Sequence, residues 1–262
     1  EADVGESSAH LQAGDKMSLE VALKALMLPS GNDAAYAIAE SVGGLFVQQA
    51  KQSGSTITGA DGNAIDLDAP DAGYNAFVAA MNAKVTELGC ENSLFTNPHG
   101  LDDGAWAAGL HSCASDVAKI VAHAMSNETF RSIVATDAAT IQVTRDGAKA
   151  DVELESTDAL LGVYEGACGV KTGYTDLAGS CFAGAVDKDG KTLYSVVLHS
   201  TSDVQRFNDT TTLWDWAYDN LVAYPLASSS ESVSMSLDGQ VRDVPVVAYA
   251  PLASWIDKTV KV

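Results

Sequence analysis

Apolar residues recur with a helical period near the start of the chain. The first stripe consists of Leu19, Ala22, Leu23 and Leu26. Because Ser18 is suited to capping, the pattern predicts a helix over Ser18–Met27. Pro29-Ser30-Gly31-Asn32 breaks the pattern, and a second helix is predicted over Ala34–Val42, ended by Gly43-Gly44. Ser30 and Asn32 are therefore expected in a short loop between two helices.

The stretch up to the middle of the chain continues as helices separated by loops. Ser53–Asp71 is rich in Gly, Asp and Thr and predicts a surface excursion, and Phe95–Gly104 is turn-dense and predicts a shaped loop. Further helices are predicted at about Tyr74–Leu88, from Ser112 or Ser115 to Met125, and near Glu128–Ala135.

The second half alternates with a period of two residues, which is typical of strands. Thr140–Arg145 and Lys149–Glu155 flank Asp146-Gly147, a strong hairpin signal. Three more strands are predicted over Ala167–Thr172, Ser180–Val186 and Thr192–His199, and a last helix over Asp203–Leu221. Helices followed by antiparallel strands and a closing helix indicate an α+β fold, an antiparallel sheet with flanking helices plus a helical region.

The chain length allows one large domain and the start of another. We assign residues 1–225 to the large domain. Ser228-Ser229-Ser230 is typical of a linker, and Ser232–Leu237 and Arg242–Ala250 predict strands. Residues 226–262 are therefore expected to be the linker and the beginning of a small C-terminal β domain.

The charge narrows the choice of partners. The chain has 35 acidic and 15 basic side chains and a net charge of −20. Such a surface repels nucleic acid and anionic lipid, so neither is expected as a partner. No apolar run approaches the roughly 20 residues of a membrane span, and no basic-then-apolar leader stands at Glu1. Membrane association is expected only through segments outside this chain.

The four cysteines do not have the close spacing of metal ligands. Cys168 and Cys181 bracket Lys171–Gly179, so a hairpin there would let the two sulfurs form a disulfide; Cys90 and Cys113 are a second candidate pair. The alternative is four small buried apolar side chains. A disulfide would fit an extracytoplasmic protein. For His99 and His111, which flank Asp102 and Asp103, a structural loop is favoured over a metal site.

Lys171-Thr172-Gly173 is the first candidate for chemistry. An edge strand exposes N–H and C=O groups to which an extended peptide can add as a strand. The ammonium and the hydroxyl can hold a carboxylate, and the glycine lets another backbone come close. Such a site selects a chain with a free carboxyl end. The alternative is an ordinary strand lysine.

Ser30-Gly31-Asn32 is the second candidate, although its residues are simply common in turns. Between two helices, the serine hydroxyl can relay a proton, and the asparagine amide can bond both a catalytic lysine and a substrate backbone. The 141 positions from Ser30 to Lys171 leave room for several helices.

These motifs, with their neighbours, resemble the low-molecular-mass penicillin-binding D-alanyl-D-alanine carboxypeptidases. The resemblance covers roughly residues 5–225 in family order. Its blocks are Gly14-Asp15-Lys16, Leu28 to Ala35, Phe95-x-Asn97-Pro98-His99-Gly100-Leu101-Asp102, Ser156 to Leu161, and Gly169 to Thr175 with Ala178-Gly179. It implies the β-lactamase/transpeptidase-like fold and a bacterial, extracytoplasmic serine peptidase that releases D-alanine from peptidoglycan stem peptides through an acyl-enzyme.

The resemblance also implies roles for individual residues. Ser30 would take part in proton transfer, and Asn32 would bind the substrate and the general-base lysine. Lys171 and Thr172 would anchor the terminal carboxylate and support proton transfer, with Gly173 giving close approach. The backbone N–H of Tyr174 would be half of the oxyanion hole. The implied partners are a peptide ending in D-Ala-D-Ala and β-lactams; no metal or cofactor is implied.

The family's nucleophile motif, Ser-x-x-Lys, is missing. None of the 11 lysines has a serine three positions before it. Either the nucleophile segment precedes Glu1 in a longer protein, or a lineage lost its catalytic helix. Both predict that these 262 residues alone form no acyl-enzyme. The alternatives from other classes are a non-catalytic cell-wall-binding pseudoenzyme and a β-lactamase-like hydrolase.

Overall fold

The structure is a computed structural model that describes residues 4–104, 109–225, 231–237, 240–246 and 253–259. The chain divides into two compact units, Glu1–Thr211 and Thr212–Val262. The division at residue 225 stays a prediction. The linker expected at Ser228–Ser230 and the end of the strand expected to reach Ala250 lie outside the described residues.

The predicted helices are confirmed, with small shifts of their ends except at the C-terminal end of the second. They are α1 (Leu19–Met27), α2 (Asn32–Ser53), α3 (Ala72–Glu87), α4 (Ala114–Ala124), α5 (Glu128–Val134) and α6 (Asp203–Asn220). Ser18 caps α1 as predicted, because its Oγ accepts the backbone N–H of Val21 at 3.3 Å. Of the helices in the described ranges, none is long and apolar enough to cross a membrane.

The prediction that the second helix ends at Gly43-Gly44 is wrong. Helix α2 continues through both glycines and ends at Ser53, where it is capped by Gly54 with a left-handed φ of 68°. Gly43 instead faces α3, where a Cβ on it would lie 1.8 Å from the carbonyl oxygen of Gly73. The missing side chain lets the two helix backbones approach, and this packing outweighs the low helix propensity of glycine.

The predicted strands are also confirmed. The first unit contains β1 (Ala138–Arg145), β2 (Ala148–Glu155), β3 (Ala167–Thr175), β4 (Gly179–Lys188) and β5 (Lys191–Ser200). Strands β1 and β2 form a hairpin that turns at Asp146-Gly147, and the other three form an antiparallel sheet in the order β3-β4-β5. The strand that carries Lys171 is therefore an edge strand, as predicted.

The second unit contains the last part of α6 and two strand pairs. The antiparallel pairs are β6 (Leu221–Pro225) with β9 (Ala253–Asp257), and β7 (Glu231–Leu237) with β8 (Gln240–Val246). With the helices and antiparallel sheets of the first unit, the chain has the expected α+β class.

The core of the first unit explains how the loop after α1 comes near β3. One apolar cluster joins α1, α5 and the β1–β2 hairpin, and includes Leu28 and Ile133. A second cluster packs α4 and α5 on the sheet, where Val134 of α5 meets Val170 of β3. Because α5 contributes to both clusters, it holds the end of α1 beside the edge strand.

The predicted Cys168–Cys181 disulfide is wrong. All four cysteines are free thiols. Gly173 pairs with Cys181 and Ala167 with Val186, so the hairpin is centred on Leu177 and Cys168 lies well along the sheet from Cys181. Bracketing of a motif by two cysteines does not fix strand register, which the turn position sets.

The predicted Cys90–Cys113 disulfide is not formed either. The buried Cys90 thiol donates to the carbonyl of Asp116 at 3.6 Å, and Cys113 Sγ lies 3.2 Å from Ser115 Oγ. Burial raises the pKa of the Cys90 thiol, so Cys90 fits the alternative of a small buried apolar side chain.

Candidate active site

The two motifs come together in the folded chain. Lys171 Nζ donates a hydrogen bond to Ser30 Oγ at 2.6 Å and another to its neighbour's carbonyl, Thr172 O, at 2.9 Å. The ammonium therefore links the edge of the sheet to the loop between α1 and α2. Side chains 141 positions apart face the same place, which is the arrangement a shared cleft requires.

The loop that carries Ser30 has an unusual backbone. Ser30 has a φ of 60°, in the left-handed region that side chains other than glycine rarely adopt. Gly31 follows with no space for a side chain, because a Cβ would lie 2.6 Å from Ala25 O and 2.8 Å from Asp33 Oδ1. This tight turn directs the Ser30 hydroxyl towards Lys171.

Asp33 holds this loop in place, a role that the sequence analysis missed. Its carboxylate is only 4% exposed. It accepts hydrogen bonds from Ser8 Oγ at 2.8 Å, Ala9 N at 2.9 Å and Leu11 N at 3.0 Å. The segment over residues 8–11 is thereby fixed against the start of α2. An acidic residue directly after a polar motif at a helix N-terminus was the available signal.

Asn32 is buried at the first position of α2. Its backbone N–H donates to Ser7 O at 2.9 Å, and its side-chain Nδ2 donates to Gly5 O at 3.1 Å. Its predicted contacts with a substrate and a general-base lysine stay predictions. A cavity of about 820 Å³ lies beside it, lined by residues 4–8 and 10–13 together with Asp33 and Tyr36.

Thr157 joins the two halves of the site, and its role was also missed. Its backbone N–H donates to Leu28 O, two residues before Ser30, at 3.1 Å. Its hydroxyl lies 2.6 Å from that of Thr172, which is 8% exposed. Thr157 lies in the Ser156–Leu161 block of the resemblance, which predicts no role for this residue.

Arg206 supports the edge strand from α6. This residue is 8% exposed, its Nη1 donates to Gly173 O at 3.2 Å, and it pairs with Asp203 at 3.1 Å. Burial, and secondarily the nearby Arg206 charge, lowers the pKa of Lys171 to about 8. Lys171 is thus mostly protonated at neutral pH, and is able both to bind an anion and to give up its proton readily.

Gly173 and Tyr174 lie next to Lys171 and Thr172 on β3. A Cβ on Gly173 would have Cys181 Cβ, at 4.0 Å, as its nearest heavy atom, so the fold itself leaves room for a side chain there. Tyr174 is 62% exposed, and its hydroxyl donates to Asp176 Oδ1 at 3.0 Å. The role of its backbone N–H in an oxyanion hole stays a prediction.

The loop expected to be shaped, Phe95–Gly104, is tied to the same strand. Asp102 Oδ2 accepts the hydroxyl of Thr175 at 2.6 Å. His99 Nε2 lies 3.5 Å from the Tyr74 hydroxyl, and burial lowers the pKa of His99. Over the described ranges, no three His, Cys, Asp or Glu side chains group as metal ligands.

Comparison with known proteins identifies the family of the chain. The sequence profile of the family described as D-alanyl-D-alanine carboxypeptidase matches residues 54–202. The D-alanyl-D-alanine carboxypeptidase of Streptomyces sp. strain K15 is 36% identical over 214 residues, 81% of this chain. DacF of Bacillus subtilis, a protein of the same description, is 27% identical over 89% of this chain.

Solved structures of DD-transpeptidases have a similar fold. The crystal structure of the Streptomyces K15 DD-transpeptidase superimposes with a TM-score of 0.69 and 34% identity, covering 82% of this chain and 72% of that one. The chain spans 65% and 51% of the lengths of its Streptomyces and Bacillus relatives.

Proposed function

The chain belongs to the D-alanyl-D-alanine carboxypeptidase family, and from that premise we propose that it carries the second and third motifs of a serine carboxypeptidase active site. The observation that supports this most strongly is the 2.6 Å hydrogen bond from Lys171 to Ser30. This bond joins an ammonium with a lowered pKa to a serine hydroxyl. Those are the groups that proton transfer during acyl transfer requires.

The proposed substrate is a peptidoglycan stem peptide that ends in D-Ala-D-Ala. Its terminal carboxylate binds Lys171 and Thr172, and its backbone runs along the open edge of β3. Gly173 supports this placement, since the fold leaves space at its Cα that the substrate backbone would use. The proposed reaction takes place outside the cytoplasm, where peptidoglycan lies.

The proposed reaction has two steps. A serine Oγ attacks the carbonyl carbon between the two D-alanines, the C–N bond breaks, and D-alanine leaves with a proton on its nitrogen. Water then attacks the resulting ester and frees the serine. Ser30 and Lys171 move protons in both steps, and the backbone N–H of Tyr174 stabilises the oxyanion. A β-lactam undergoes only the first step, acylation of the serine, because its leaving group stays attached to the acyl group.

The attacking serine is not Ser30 in this proposal, because Ser30 belongs to the second motif. The 262 residues contain no Ser-x-x-Lys. We therefore place the nucleophile in a segment that they do not include, next to Asn32. Without that segment the chain binds the peptide but does not become acylated.

A fluorescent penicillin tests the proposal. The full-length gene product that contains these residues should be labelled covalently, Lys171→Ala should reduce its labelling rate at least about a hundredfold, and the 262-residue chain should stay unlabelled. A control variant, Lys84→Ala, removes an exposed ion pair with Glu87 and should label normally.

The outcomes separate the alternatives. A full-length product that is not labelled would be a cell-wall-binding pseudoenzyme. One that destroys the penicillin rapidly would be a β-lactamase-like hydrolase. Normal labelling of Lys171→Ala would contradict the assigned site.

A further inference from the structure

Thr157 lies directly against Thr172, the threonine of the Lys-Thr-Gly segment. The Thr157 and Thr172 hydroxyls are 2.6 Å apart, which is a short hydrogen bond between two neutral groups. Thr172 is only 8% exposed, so water has little access to the two hydroxyls and does not readily replace this hydrogen bond.

The backbone around Thr157 is fixed on both sides. Its own N–H is bonded to Leu28 O at 3.1 Å, and Leu28 is 1% exposed in the core. The preceding residue, Ser156, donates its N–H to Asp137 O at 2.7 Å. The Thr157 hydroxyl therefore has a defined position against which the rotamer of Thr172 is set.

Counting protons shows what this pair can do. Each hydroxyl has one proton to donate, while a carboxylate is only an acceptor. If Thr172 donates to Thr157, it has no proton left for a carboxylate in the cleft. If Thr157 donates to Thr172, the Thr172 proton points to the ligand, and the two bonds polarise one another.

We propose that Thr157 is a positioning residue: it donates its hydroxyl proton to Thr172, so that Thr172 presents its own proton to the terminal carboxylate of the peptide. This inference rests on the proposed function. Thr157 does not itself touch the substrate. Its second bond, to Leu28 O, also couples the carboxylate site to the loop that presents Ser30.

The test is an NMR titration of the 262-residue chain with diacetyl-L-lysyl-D-alanyl-D-alanine and with its C-terminal amide, read at the Thr172 and Gly173 amides. Wild type should bind the carboxylate form more tightly. Thr157→Val should weaken that binding about three- to tenfold by freeing the Thr172 rotamer. Thr157→Ser should bind as wild type does.

Two controls separate this role from a general loss of stability. Thr86→Val removes a hydroxyl that bonds within α3, to Asn82 O, and should leave binding unchanged. In a Thr172→Val background, Thr157→Val should have no further effect, because the two hydroxyls act as one unit. If Thr157→Val does not fold, Thr157→Ala takes its place and should weaken binding by the same factor.

The result on wild type tests the proposed function separately. Equal binding of the carboxylate and the amide by wild type would overturn the carboxylate site and this inference with it. A wild-type preference that Thr157→Val and Thr157→Ala retain in full, or additive effects of the two threonine substitutions, would overturn the inference alone.

Discussion

The Lys171 side chain is suited to two tasks at the site, binding of a carboxylate and transfer of a proton. It is held between the Ser30 hydroxyl and the Thr172 carbonyl, and it is partly buried. A buried ammonium with two neutral acceptors is less stable than one in solution, which is why its pKa falls to about 8. The same group can then bind a carboxylate and exchange a proton near neutral pH.

The first prediction concerns this pKa. In ¹³C NMR spectra of the lysine side chains, Lys171 should titrate at about 8, against about 10.4 for an unperturbed lysine. Ser30→Ala should lower the value further, since the buried ammonium loses an acceptor. A Lys171 that titrates above 10 would contradict the burial argument.

The sign of the effect on stability follows from the same shift. Between about pH 8 and 10.5 the unfolded chain binds more protons than the folded one, so the free energy of unfolding rises with pH in that window. Across this pH window, the free energy of unfolding of wild type should rise by up to about 3 kcal/mol relative to that of Lys171→Met. Urea unfolding of both proteins at several pH values measures this difference.

Gly173 gives the second prediction at this scale. Because a Cβ there meets Cys181 Cβ only at 4.0 Å, Gly173→Ala should change the free energy of unfolding by less than about 0.5 kcal/mol. It should nevertheless weaken binding of diacetyl-L-lysyl-D-alanyl-D-alanine about tenfold, since the methyl group takes the space of the peptide backbone. Unchanged affinity in the NMR titration would show that the peptide does not approach β3 there.

At the scale of elements, the packing of α2 on α3 depends on a glycine contact. Gly43→Ala should destabilise the chain by about 1–3 kcal/mol, because its Cβ would overlap the Gly73 carbonyl. Gly44→Ala is the matched control: its Cβ position is open, and the better helix former should stabilise by about 0.5–1 kcal/mol. Equal effects in urea unfolding would mean that helix propensity, and not close packing, decides at both positions.

Local patterns predicted most elements and missed what depends on distant neighbours. The helical stripe after Ser18 and the Asp146-Gly147 turn are signals within a few residues, and both elements formed. No local pattern indicates that Gly43 packs against Gly73, so the pattern alone predicts an end of α2 that is too early. The Cys168–Cys181 pairing failed for the same reason, since register depends on where the hairpin turns.

The candidate site divides in the same way. Ser30 and Lys171 were found as motif residues and do meet. Asp33 and Thr157 lie in blocks of the resemblance, and Arg206 lies in none. The sequence predicted no role for any of the three, because they act through partners that only the fold brings near. Thr157 is the clearest case, since its partners lie 129 and 15 positions away, at Leu28 and Thr172.

At the scale of the whole molecule, the first unit brings an edge strand and an interhelical loop into contact on an α+β scaffold. The chain carries a net charge of −20, yet the candidate site centres on the Lys171 ammonium, with Arg206 bonded to Gly173 O and paired with Asp203 nearby. A local ammonium in an otherwise acidic protein suits a ligand whose negative charge is confined to one end.

Release of D-alanine from diacetyl-L-lysyl-D-alanyl-D-alanine is the most direct test of this account. The full-length gene product should release it, its Lys171→Ala variant should be slower by at least about a hundredfold, and the 262-residue chain should bind the peptide without cleaving it. Cleavage by the 262-residue chain, or equal rates for the full-length protein and its Lys171→Ala variant, would contradict the assignment of the site.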